Sequence, residues 1–164
     1  MKKLVYGIVY SIARGMNFAF LLLIIQAYAT TVTTHAQKRE VEGLMRQFMR
    51  DMGKPQSDLD GFKIGFTNKM PSPSTIGACV PGFKTVIFRL DYWNNALPLV
   101  RKGIVYHELA HCYCGLNIMR HEDSWMNLYD CPKTLMNAYQ PDYGCLSAFM
   151  DVYIDDLKDR CKRR

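Results

Sequence analysis

The pattern that most constrains this chain is a pair of histidines four residues apart, His107 and His111, in the stretch His-Glu-Leu-Ala-His. On an α-helix, side chains four residues apart project from the same face, so a helix here brings the two imidazoles to one point in space. Pro98 precedes the stretch and Gly115 follows it, as is typical of the start and the end of a helix. The sequence therefore predicts a helix between these two residues, with Gly115 as a left-handed cap.

Glu108 follows the first histidine and lies about a quarter turn around the helix from it. Zinc binds neutral histidine nitrogen readily, and a catalytic zinc site keeps three protein ligands and leaves the fourth position for water. A carboxylate beside that water can take its proton and later pass it to a leaving amine. His107 and His111 are therefore predicted to bind Zn²⁺, with Glu108 as the catalytic general base. The alternative is that these side chains serve only the core or the surface.

A third metal ligand must come from outside the helix. His121 is the first choice, because a capped helix followed by a loop can turn the chain back under the metal. A glutamate on a later helix is excluded, since Glu122 is the last glutamate in the chain. The weaker candidates that the sequence leaves open are Asn117, Glu122, Asp123 and Asp142.

Residues 1–36 predict export from the cytoplasm. Two lysines near the start precede an apolar run, residues 16–29, which has the length of a signal-peptide core rather than of a membrane span. Small residues at 27–29 and 34–36 offer two sites for signal-peptide cleavage. The alternative is an uncleaved anchor that associates the chain with a membrane, because residues 4–29 are long enough to cross a bilayer.

The remaining residues, 37–164, can form one domain with a real core, which we expect to be a monomer. Its location would be secreted or periplasmic, or, with an uncleaved anchor, attached to a membrane with the catalytic domain outside the cytoplasm. The net charge of +6 does not indicate a nucleic-acid partner. Residues 1–29 hold three of the 21 basic side chains and none of the 15 acidic ones, so the rest is close to neutral.

All six cysteines lie beyond the predicted leader. An even number of cysteines in an exported chain favours disulfide bonds, although the sequence by itself leaves the pairing open. Cys112 and Cys114 are two residues apart on the predicted helix and project from nearly opposite faces, so they cannot both bind the metal.

Apolar periodicity predicts an α+β domain. Residues 38–52 and 146–161 repeat apolar side chains at helical spacing. Residues 61–66, 76–80 and 84–90 form short extended pieces between turn-rich segments. The predicted architecture is an N-terminal helix, a small mixed sheet, the helix with the histidine pair and a C-terminal helix.

These motifs resemble the metzincins, zinc metallopeptidases whose signature joins a zinc-binding helix to a downstream turn that contains methionine. The likeness is greatest to compact, exported members of bacterial and phage type. Glycine and the third histidine stand further along the chain here than in the usual family pattern. The residues that carry the resemblance are His107 to His111, Gly115, His121 and Thr134 to Tyr139, with Gly77, Cys79 and Cys112.

The resemblance implies a minimal zincin-type or metzincin-like domain with a Met-turn, in which Met136 forms the apolar floor beneath the zinc. It also implies that Tyr139 is catalytic and reaches the metal or the oxyanion. A Cys79–Cys112 disulfide would tie the sheet to the zinc helix. The strand at residues 84–90 would be an edge strand that pairs with an extended substrate.

The function predicted from the sequence is that of a zinc-dependent endopeptidase acting on a peptide or protein substrate. The alternative is a non-enzymatic interaction protein, membrane-anchored or virion-associated, with a structural or vestigial zinc site. Glu108 favours the enzyme, because a structural zinc site needs no general base and usually closes its fourth position.

Overall fold

The part of the chain that the computed structural model describes comprises residues 35–115, 121, 123–126, 130–138 and 140–162. These residues all belong to one unit, Val32–Arg164. The predicted leader lies outside the described residues except for its last two positions, so its role in export stays a prediction. Among the described residues, no helix has both the length and the apolar character needed to cross a membrane.

The described residues form four α-helices, which are α1 (His35–Asp51), α2 (Leu90–Asn95), α3 (Pro98–Leu109) and α4 (Tyr143–Lys162). Helices α1, α3 and α4 were predicted, whereas α2 was not, because six residues are too few to show a helical repeat. Helix α3 continues into a π-helical turn, Ala110–Cys114, and the helical backbone ends at Gly115. Gly115 has the expected positive φ of 95°, but its ψ of 139° is extended rather than left-handed helical.

Three strands, β1 (Lys63–Thr67), β2 (Gly77–Val80) and β3 (Thr85–Arg89), form a mixed sheet in the order β1-β3-β2. Strand β3 pairs in parallel with β1 and antiparallel with β2. The prediction that residues 84–90 form an edge strand was therefore wrong, because both sides of β3 are hydrogen-bonded to neighbouring strands. Among the residues that the structure describes, β1 and β2 are the edge strands of this sheet.

Helix α3 lies at the centre of the fold and packs against α1, α4 and strand β2. The apolar repeat of α1 supplies one side of the core through Val41 and Phe48, which are fully buried. Gly103, in α3, allows the side chains of Gln140 and Leu146 to pack closely against this helix. A Cβ on Gly103 would lie 2.7 Å from the side-chain nitrogen of Gln140 and 3.2 Å from Leu146. The α+β class is thus confirmed, and the helix that carries the histidine pair is its most enclosed element.

Disulfide bonds join all six cysteines, in the pairs Cys79–Cys112, Cys114–Cys161 and Cys131–Cys145. The first pair is the one that the resemblance implied, and it joins β2 to the π-helical turn. Cys112 and Cys114 leave that turn toward different elements, β2 and α4, as expected for positions two residues apart. Disulfides form and persist in oxidising surroundings such as the periplasm or the extracellular space, to which this domain is therefore suited.

Replacing the pair that joins the π-helical turn to α4 (Cys114→Ser with Cys161→Ser) should lower the free energy of unfolding by about 4 kcal/mol, because it closes a loop of 47 residues. Replacing Cys131 and Cys145, which are 14 residues apart, should lower it by about 3 kcal/mol. Denaturant unfolding of both variants measures the difference. A larger loss from the shorter loop would contradict this order.

Candidate metal centre

Three imidazoles converge at the end of helix α3. The Nε2 atoms of His107, His111 and His121 lie 2.9 to 3.1 Å from one another. A tetrahedral ion with bonds of about 2.0–2.1 Å to nitrogen spaces its ligand atoms by roughly 3.3 Å. The triangle is close to the geometry of three ligands on one face of such an ion, so the cluster can hold a metal.

Two corners of the triangle come from one continuous helical segment, as their spacing predicted. His107 lies in the last turn of α3, and His111 lies in the π-helical turn that follows. Both side chains are buried within the core. Single π-helical turns inside helices occur frequently at functional sites, which agrees with the position of this one.

His121 supplies the third corner, ten residues beyond His111. Of the weaker candidates, Asn117 and Glu122 lie outside the described residues. Asp123 accepts a hydrogen bond from an indole two residues further on, and Asp142 accepts one from a backbone N–H in the first turn of α4. Neither of these two aspartates belongs to the cluster, and the first choice made from the sequence is the residue that joins it.

A hydrogen bond fixes the orientation of the His107 ring. Its Nδ1–H donates to the carbonyl oxygen of Leu135 at 2.7 Å, which leaves the Nε2 lone pair directed into the cluster. Burial lowers the pKa of His107 to about 4, and the neighbouring His121 adds to this decrease, against the hydrogen bond to Leu135. Desolvation also lowers the pKa of His121. Both rings are thus neutral near pH 7, in the form that binds a metal.

Leu135 belongs to a tight turn that the C-terminal helix supports. The turn closes through a hydrogen bond from the Asn137 N–H to the Thr134 carbonyl at 3.2 Å. The Thr134 hydroxyl accepts from the Met136 N–H at 3.1 Å and donates to the Asp156 carboxylate of α4 at 2.6 Å. Helix α4 therefore supports this turn, and the turn orients the His107 ring through the Leu135 carbonyl.

The turn contains Met136, the residue predicted as the apolar floor, and its side chain is fully buried. Tyr139 lies outside the described residues, so its catalytic role stays a prediction. The segment after His121 is joined to the same turn, since the Asn137 side chain donates to the Ser124 carbonyl at 3.0 Å. The third corner and the first one are thus braced by one short region of chain.

Glu108 is 6% exposed and lies against strand β2. The Cys79 N–H donates a hydrogen bond to its carboxylate, which favours the charged form. Desolvation has the larger effect and raises the pKa of Glu108 to about 8. A carboxyl group with a pKa near neutrality, next to the candidate metal ligand His107, has the properties of a general acid or base.

Sequence reasoning assigned no supporting role to the residues that hold the cluster in place, namely Thr134, Asp156, Gly77 and the Leu135 carbonyl, although all but Asp156 lie in segments that carry the resemblance. Their partners are 22 to 31 residues away along the chain, beyond the reach of any periodic pattern. The turn-forming Thr134 next to a predicted methionine turn was the only local signal, because hydroxyl side chains commonly bond nearby backbone N–H groups.

No family model matches the chain, and searches of curated proteins and of solved structures found no match either.

Purified protein should bind one Zn²⁺ per chain, and His121→Ala should weaken that binding on the order of 100-fold or more, because it removes a corner of the triangle. His35→Ala is the matched control, since His35 is the one histidine outside the cluster and is exposed on α1. Competition with a chromogenic chelator measures both affinities. Equal zinc affinity in the two variants would rule out His121 as a ligand.

Thr134→Val should weaken zinc binding about 10- to 100-fold while leaving all three histidines in place, because it loosens the turn that orients His107. The control is Thr85→Val, whose hydroxyl donates to the Phe83 carbonyl just before β3 rather than to the turn that orients His107. Unchanged affinity in Thr134→Val would show that the turn holds its shape without this hydroxyl.

Proposed function

We propose that this chain is a zinc-dependent endopeptidase with a minimal metzincin-like domain. The observation that carries the proposal is the triangle of histidine nitrogens with a buried carboxyl group, Glu108, on the same helix. Three histidine nitrogens are the ligand set of some catalytic zinc sites, which keep their fourth position for water.

The donor set favours zinc among the common cations. Imidazole nitrogen suits zinc and some transition metals, whereas calcium and magnesium require oxygen ligands. When bound there, zinc would lower the pKa of a water molecule and polarise the carbonyl of the peptide bond. The protein's own part is to hold His107 as the tautomer with a free Nε2, through Leu135.

Glu108 is the residue that would move the proton. As a base it takes a proton from the attacking water, and as an acid it returns that proton to the amine of the departing peptide. Its burial places its pKa near the pH at which such a transfer works best. Tyr139 is a second residue that we expect to act on the oxyanion, from the resemblance of the Met-turn region.

Strand β2 is the part of the sheet that we expect to pair with an extended peptide. It is an edge strand of the sheet in the described part of the chain, and it is the strand that contacts Glu108. Pairing through the main chain gives affinity for many sequences, and side-chain pockets then select among them. We therefore propose β2, rather than residues 84–90, as the strand that pairs with substrate.

A secreted or periplasmic enzyme agrees with the disulfide bonds of the domain. An anchor formed by residues 4–29, with the domain outside the cytoplasm, would place the same site in the same oxidising surroundings.

Glu108→Gln should keep zinc at one ion per chain and lower kcat by about 100- to 10,000-fold, because the amide cannot accept the proton of water. Cleavage of fluorescently quenched casein, with and without a chelator, measures activity, and elemental analysis measures zinc. Glu42→Gln on α1 is the control and should match the unsubstituted protein.

Two results would overturn this proposal. Full activity in Glu108→Gln would exclude the general-base role. A zinc-loaded protein that cleaves no member of a broad peptide library would favour the non-enzymatic alternative, in which zinc only stabilises the fold.

A further inference from the structure

Gly77, on strand β2, is in contact with the Glu108 carboxylate. A Cβ atom built on Gly77 would lie 2.7 Å from Oε1, 2.8 Å from Cγ and 3.0 Å from Cδ of Glu108. Real Cβ atoms essentially never show separations below 3.0 Å, as those from Oε1 and Cγ would be. Glu108 is 6% exposed, so its side chain has little room to swing away. The missing side chain of Gly77 therefore makes the space that the carboxyl group fills.

The same strand also holds the carboxylate by a hydrogen bond. Cys79, two residues after Gly77, donates its backbone N–H to Glu108. Residues two apart on a strand present their side chains to the same face, so the Cβ position of Gly77 and the side chain of Cys79 both face the helix that carries Glu108. One strand thus supplies both the space and the donor.

A disulfide fixes the distance between this strand and the helix. Cys79 is bonded to Cys112, the residue directly after His111, with their Cα atoms 5.5 Å apart. Because Glu108 and Cys112 lie on one continuous helical segment, the bond sets the separation between Gly77 and the carboxyl group. Strand β2 cannot move away from the helix while the disulfide is intact.

We propose that Gly77 and Cys79 form a seat for the Glu108 carboxylate, and that Gly77 is a positioning residue of the reaction. The role in the reaction rests on the proposed function, whereas the seat itself is a contact that can be tested without activity. General-base catalysis depends on placement, and a displacement of about 1 Å can cost on the order of 100-fold in rate.

A double-substitution cycle on thermal unfolding tests the contact in zinc-saturated protein. Gly77→Ala should lower Tm by roughly 3–10 °C, because the new methyl group overlaps the carboxylate. The same substitution should lower Tm much less in a Glu108→Ala background, where the overlapping atoms are absent. If Gly77→Ala alone does not fold, folding of the double variant supports the seat equally well. An equal loss in both backgrounds would overturn it.

Gly65→Ala is the matched control, since a Cβ on Gly65 of β1 would meet Ile87 at an ordinary 3.7 Å. Its effect on Tm should be small and the same in both backgrounds. A coupling between Gly65 and Glu108 as large as that of Gly77 would mean that the cycle does not report contact, and would count against the seat.

Kinetics of zinc-loaded protein test the positioning role. Gly77→Ala should lower kcat about 10- to 100-fold with little change in KM and one zinc per chain, because only the base is displaced. Unchanged kcat would overturn the role of Gly77 in the reaction. If the unsubstituted, zinc-loaded protein has no peptidase activity, the proposed function is overturned. Coupling between Gly77 and Glu108 in the unfolding cycle would still establish the seat.

Discussion

The hydrogen bond from the His107 ring to the Leu135 carbonyl is the interaction on which the metal centre depends. It joins the central helix to a turn 28 residues away, and it turns the Nε2 lone pair of His107 toward two other imidazoles. The lone pairs of ring nitrogens so close together repel one another, and a single divalent ion can bind all three. The position of this carbonyl is fixed because the neighbouring Thr134 hydroxyl donates a hydrogen bond to Asp156 on helix α4. His107, a candidate metal ligand, is thus oriented by helix α4, which contributes no histidine to the cluster.

Covalent bonds give this small domain the stiffness that such a site requires. Cys112 and Cys114 lie on either side of one residue in the π-helical turn, and they bond to β2 and to α4 respectively. The turn that carries His111 is therefore held from both sides. The Cys131–Cys145 bond attaches the region before the methionine turn to the start of α4. A domain of about 130 residues has a limited core, and disulfides compensate by restricting the unfolded chain.

The order of the strands decides which strand lies at the edge of the sheet and beside Glu108. Alternation of side chains predicted the strands at about the right places, but alternation is the same for a central strand and for an edge strand. The short connection between β2 and β3 allows them to pair as antiparallel neighbours, and the parallel pairing with β1 then encloses β3. As a result, β2 is both an edge strand and the neighbour of Glu108.

What the sequence by itself determined is local. The four-residue spacing of His107 and His111, the apolar repeats of α1 and α4 and the α+β order of elements all follow from helical or strand periodicity, which a short window of residues contains. Only the tertiary structure decided how Gly77 meets Glu108, which residues orient His107 and how the remaining cysteines pair. The physical reason is that these contacts join positions 14 to 47 residues apart, and their geometry arises from packing rather than from any repeat along the chain.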